Sequence, residues 1–141
     1  MREGAPQLEP RDIALAAAVA AEEKKATDVV VLDVAETLVI TAYFVVATGA
    51  NDRQVRAIAE EVETALREGA GLKPIGREGE REGKWVLLDF GDVVVHVFQP
   101  EEREFYRLEK LWSDVPRVEI PASPASADAA VASGGTAVPG S

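Results

Sequence analysis

The sequence predicts an α/β domain of the α+β type, with about five strands in one sheet flanked by helices. Three observations carry this. β-branched runs recur at residues 28–34 and 38–48, and strand-like apolar runs at 85–90 and 93–98. An amphipathic stripe of helical period runs from Val55 to Leu66, and Gly91-Asp92 lies between two strand-like runs as a two-residue hairpin turn. At 141 residues and 15.1 kDa the chain has room for one domain.

Met1–Pro10 is a polar lead-in, and Pro10 suits the first turn of a helix, where no N–H is needed. A helix is predicted over Arg11–Lys25, where Ile13, Ala16, Ala17 and Ala20 repeat at helical spacing and Leu15 and Val19 widen the apolar surface. Asp28–Val34 and Leu38–Thr48 are predicted strands, joined through Ala35-Glu36-Thr37 as a hairpin or as neighbours. Gly49 breaks the second strand. Asn51 and Gln54 then stand at capping-box spacing, and Val55, Ile58, Ala59, Val62, Ala65 and Leu66 mark a helix covering one face of the sheet, ended by Gly69 and Gly71.

Lys73–Ile75 reads as a short edge-like segment, and Gly76–Lys84, with three glycines and six charges that cancel, as a mobile surface loop. The hairpin of Trp85–Phe90 and Val93–Phe98 has its register set by the turn: Phe90 faces Val93, Asp89 faces Val94, Leu87 faces His96 and Trp85 faces Phe98. Alternation sorts Val86, Leu88, Phe90, Val93, Val95 and Val97 to the core side, and Trp85, Leu87, Asp89, Val94, His96 and Phe98 to the other. A last helix is predicted over Arg103–Trp112, with Phe105, Leu108, Leu111 and Trp112 on its apolar side. The domain therefore spans residues 11–115, between a flexible lead-in at 1–10 and an Ala/Ser/Pro/Gly-rich tail at 116–141. From Pro121 on, that tail is too poor in large apolar residues to offset an ordering entropy of about 1–2 kcal/mol per residue, and disorder is expected.

A net charge of −10 and a pI near 4.6 argue against general affinity for phosphate backbones and favour basic partners. Without cysteine there are no disulfides, thiol nucleophiles or thiolate metal sites, and one histidine cannot anchor a histidine-based metal centre. No run approaches the roughly 20 apolar residues of a membrane span, so a soluble, cytoplasmic protein is expected. Asp89-Phe90-Gly91 spells a kinase magnesium tripeptide without the rest of that machinery, and Gly79–Lys84 falls short of a P-loop. The histidine has no nucleophile elbow, and Asp28 and Asp33, five apart on one strand, point to opposite faces. No catalytic residue, metal ligand or cofactor is assigned. The mixture of aromatics, carboxylate and imidazole on the second hairpin face instead has the composition of a protein-binding patch. Another reading stays open, in which Trp85 and Phe98 pack beneath the last helix with Phe105 and Leu108 as lids and His96 is a partly buried structural histidine.

Four segments in order, Thr48-Gly49, Arg53–Ala59, Trp85–Phe98 and Arg103–Trp112, resemble the ribosomal silencing factor (Iojap-like) family over roughly Ile13 to Asp114. The resemblance implies a mixed sheet related to nucleotidyltransferases but lacking their catalytic residues. It also implies a non-enzymatic factor that binds ribosomal protein uL14 of the large ribosomal subunit. There it would block subunit joining and repress translation under nutrient limitation, and off the ribosome it would form a homodimer. The expected contact residues are Trp85, Asp89 and His96 from the hairpin and Tyr106, Glu109 and Trp112 from the last helix, with Trp85 as anchor. The sequence departs from the family at Ala42, where an aspartate is usual. The competing expectations are a nucleotidyltransferase-like enzyme and a homodimeric adaptor with no ribosomal role.

Overall fold

In the computed structural model, which describes residues 8–121, Pro10 opens helix α1 (Pro10–Glu23) as its sequence position requires. Strands β1 (Thr27–Asp33) and β2 (Tyr43–Thr48) follow, then helix α2 (Asp52–Ala70). Strands β3 (Gly76–Glu78), β4 (Trp85–Asp89) and β5 (Val93–Phe98) come next, then α3 (Pro100–Tyr106), α4 (Leu108–Leu111) and β6 (Arg117–Val118). The six strands form one sheet in the order β3-β4-β5-β2-β1-β6. It is mixed: β2 and β5 run parallel, and every other pair is antiparallel.

Asn51 caps α2, its side chain accepting from Gln54 N at 2.9 Å. Gln54 Oε1 accepts from Ala50 N at 2.7 Å, one residue before the cap, and its amide nitrogen donates to the Lys24 and Lys25 carbonyls. One side chain thus closes the start of α2 and the end of α1 together. Val55, Ile58, Ala59, Val62 and Leu66 are buried as the stripe predicts, and Gly71, at φ 67, ends the helix in the left-handed conformation. The alanines of α1 allow it to lie close against α2 and the sheet, where Ala14, Ala17, Ala18, Ala20 and Ala21 are all buried. The hairpin has the predicted register throughout, turning at Gly91 with φ 92. Val86, Leu88, Val93, Val95 and Val97 go into the core beneath the two long helices.

Four expectations are corrected. The strand predicted over Leu38–Thr48 begins only at Tyr43, because only there do both neighbouring strands offer a ladder. Leu38 packs on the core while Val39 and Ile40 stand in solvent. The edge strand is Gly76–Glu78 and not Lys73–Ile75: pairing with β4 and two hydrogen bonds from Arg77 to Glu63, at 2.8 and 3.0 Å, hold what composition marks as a loop. A strand at the sheet margin can be wholly exposed and therefore carry no apolar signature.

The last helix is two short pieces, because Arg107 takes φ 52 and ends α3. Leu108 and Trp112 face the sheet, whereas Phe105 and Leu111, expected on the same apolar side, are 78% and 72% exposed. Finally, Arg117–Val118, assigned by composition to the tail, adds a sixth strand beside β1, with Val118 buried. The remainder of the expected tail, residues 122–141, and lead-in residues 1–7 lie outside the described residues.

Candidate functional site

The two faces of the sheet are covered unequally. Opposite α1 and α2, a smaller core of Leu32, Val34, Val46 and Phe98 is overlaid among the described residues by Val30, Leu38, Phe44, Trp85, Leu108, Trp112 and Val115, themselves partly exposed. Strand alternation builds this face: β4 supplies Trp85, β5 supplies His96 and Phe98, and parallel pairing of β2 with β5 brings Phe44 alongside. Trp85 stacks in tilted fashion on Phe98 at 4.8 Å between centroids and on Tyr106 at 4.6 Å. Phe44 meets His96 and Trp112 edge to face, at 5.0 and 5.6 Å. Tyr106 is 46% exposed, and Phe105 stands edge-on to it from outside.

Of the six residues expected at the contact surface, the fold brings Trp85, His96, Tyr106 and Trp112 into this one aromatic cluster. His96 is only 5% exposed, so it lies beneath the surface and does not form part of it. Its Nδ1 accepts a hydrogen bond from Trp85 Nε1 at 3.1 Å, and burial pushes its pKa down to about 4, leaving the ring neutral. Asp89 is at the other end of β4, roughly 13 Å along the strand from Trp85 at 3.3 Å per residue. Its Oδ1 accepts from Gly91 N at 2.8 Å, so it serves the hairpin turn while staying partly exposed.

Glu109 is tied to Arg103 by two guanidinium hydrogen bonds, and Arg103 also reaches Thr48 Oγ1 at 2.8 Å. Partial burial would raise the Glu109 pKa, but the arginine bonds outweigh it and hold the carboxyl below its ordinary value. This ion pair fastens α3 and α4 to the end of β2. Trp112 is held against Phe44 and leaves part of its surface open. Phe44 and Arg103 escape a reading of the sequence, because the first needs the order of the strands and the second the break at Arg107, and Phe105, read there as a lid over Trp85 and Phe98, stands in solvent.

Glycine shapes the edge of this face at one point. Gly79 has φ 85, and a Cβ there would come 1.9 Å from the Trp85 carbonyl oxygen, so the β3–β4 connection closes directly on the backbone of the half-buried tryptophan.

Among the described residues no three His, Asp or Glu side chains cluster as metal ligands, and no helix is long and apolar enough to cross a membrane. The surface offers partly open aromatic rings and carboxylates. The family model for the ribosomal silencing factor during starvation matches residues 7–137. The chain belongs to the ribosomal silencing factor family.

It is 41% identical over 113 residues to ribosomal silencing factor RsfS of Bacillus subtilis, covering 80% of this chain and 95% of that one. To the factor of the same name from Halalkalibacterium halodurans it is 44% identical over 101 residues, 72% of this chain and 86% of the other. The crystal structure of a Chromobacterium violaceum protein superposes with a TM-score of 0.72 at 38% identity, over 83% of this chain and 93% of that one. Ala42 stands where the resemblance led an aspartate to be expected. Its backbone N–H donates to the Asp92 carbonyl at 2.8 Å, a bond that does not depend on the side chain.

Proposed function

We propose that this chain silences translation by binding ribosomal protein uL14 on the large ribosomal subunit and standing where the small subunit would join. Family membership across residues 7–137 is the observation that carries this reading. The half-covered aromatic face supports it. Trp85 and Tyr106 offer large rings at low entropic cost, which is the composition of binding hot spots. A chain of net charge −10 is attracted to a basic ribosomal protein and is repelled by bare RNA, so encounter should slow as salt rises.

On this reading Trp85, Tyr106 and the open part of Trp112 make contact, Asp89 extends the surface along β4, Glu109 holds the helices in place, and His96 acts from beneath. The factor works in the cytoplasm, catalyses no reaction, needs no cofactor and pairs with a second copy when off the ribosome. The test is sedimentation of purified protein with large subunits, followed by light scattering of subunit joining. Stoichiometric co-sedimentation and a dose-dependent loss of joined ribosomes are expected. Undiminished joining at saturating protein would overturn the proposal.

A further inference from the structure

The indole of Trp85 is partly in solvent, and its only polar atom, Nε1, is turned inward to His96 Nδ1 at 3.1 Å. The two residues are diagonal neighbours on the hairpin, since Trp85 pairs with Phe98 and Leu87 with His96. An indole N–H can only donate, so Nδ1 must be the bare nitrogen and the proton of the neutral ring is on Nε2. That second nitrogen is buried with no hydrogen-bond partner. Phe44 stands at 79° to the imidazole and Phe98 lies stacked with it, so aromatic groups surround the ring and offer no acceptor.

An imidazole is a costly choice here if its task is only to fill space. A phenyl ring would fill the same position with no orphaned N–H. What the imidazole supplies and a hydrocarbon cannot is the acceptor at Nδ1. We infer that His96 is a positioning residue, which fixes the indole of Trp85 in the one orientation that presents its ring outward for docking. Without the bond, Trp85 can leave its contacts with Phe98 and Tyr106 for other staggered rotamers, and the partner must then select among them. The inference rests on the proposed reading of Trp85 as the docking anchor.

Two substitutions separate acceptor from filler. His96→Asn places a carbonyl oxygen near the position of Nδ1 and loses ring volume, whereas His96→Phe keeps the volume and loses the acceptor. Binding to isolated large subunits is measured for both, with Trp85→Ala as reference. Affinity is expected to fall roughly tenfold in His96→Phe and to stay within about threefold of wild type in His96→Asn. A residue needed only for packing gives the reverse order, and that result overturns the inference.

If Trp85→Ala binds as wild type does, the anchor reading itself has failed. If Trp85→Ala is weak while His96→Phe is normal, only the positioning role has failed. A measurement on the unaltered protein keeps the question open to test should a variant not fold. With a single histidine in the chain, a nitrogen–nitrogen coupling across the hydrogen bond from the Trp85 indole to His96 is assigned without ambiguity in NMR spectra. The coupling is expected, with the imidazole in its Nε2–H form. The opposite tautomer, or a freely exchanging Trp85 indole proton, overturns the inference.

Discussion

The two faces of the sheet solve different problems. The α1/α2 face is closed: small and β-branched side chains from five strands meet alanines and a clean helical stripe, and few polar groups enter. The face carrying Trp85 is built from larger rings, is overlaid by two short helices, and leaves Trp85, Tyr106 and Trp112 partly open. Complete burial makes the first a scaffold whose stability is spread over many residues. Incomplete burial makes the second a surface that can gain further contacts, which is what a docking face requires.

The contrast can be broken most forcefully from the closed face. Ile58→Ala removes a fully buried side chain beneath the sheet and should cost about 2–5 kcal/mol in urea unfolding, while the folded fraction binds large subunits normally. A matching loss of affinity in the folded fraction would show that the two faces are not separable.

Acid tests the aromatic face next. Because burial holds the His96 pKa near 4, the unfolded chain takes up a proton that the folded one refuses between its ordinary value near 6.5 and about 4. Stability from this group is therefore complete above about pH 6.5 and declines as pH falls toward 4, by up to ~3 kcal/mol. Denaturant midpoints measured across that range should drop less steeply in His96→Asn than in wild type, and equal slopes would mean that the imidazole is not desolvated.

Affinity is the sharper probe of the open face. Trp85→Ala should weaken large-subunit binding by ~2 kcal/mol or more if the ring is an anchor. Equal co-sedimentation of the folded variant would remove Trp85 from the interface. The smallest effect belongs to the scaffold's termini: Asn51→Ala loses the cap of α2 and should lower unfolding free energy by about 1 kcal/mol without altering ribosome binding.

Most of the closed face is legible in the chain itself. The Asn51 cap, the 55–66 stripe and the hairpin register all rest on spacings of a few residues, where backbone geometry alone decides what is adjacent. The site was half legible. The hairpin alternation puts Trp85, His96 and Phe98 on one side, but not how deep each lies. That depth depends on Phe44, brought in by parallel pairing across some fifty residues, and on a helix that breaks at Arg107 with no proline or glycine to announce it. Trp112 shows the same limit, since helical period places it on an apolar side and only the turn at Arg107 aims it at Phe44.

By itself, then, the sequence determined the α+β class, the hairpin with its two unlike faces, the well-capped helix over one of them, and a pattern of segments particular to one family. Only the tertiary structure decided the strand order, the sixth strand at Arg117–Val118, the exposure of Phe105 and Leu111, and the burial of His96 behind Trp85. The division follows from range. Periodicity and turn chemistry are set by neighbours along the chain, whereas burial and pairing are settled by competition among distant segments for the same apolar surface.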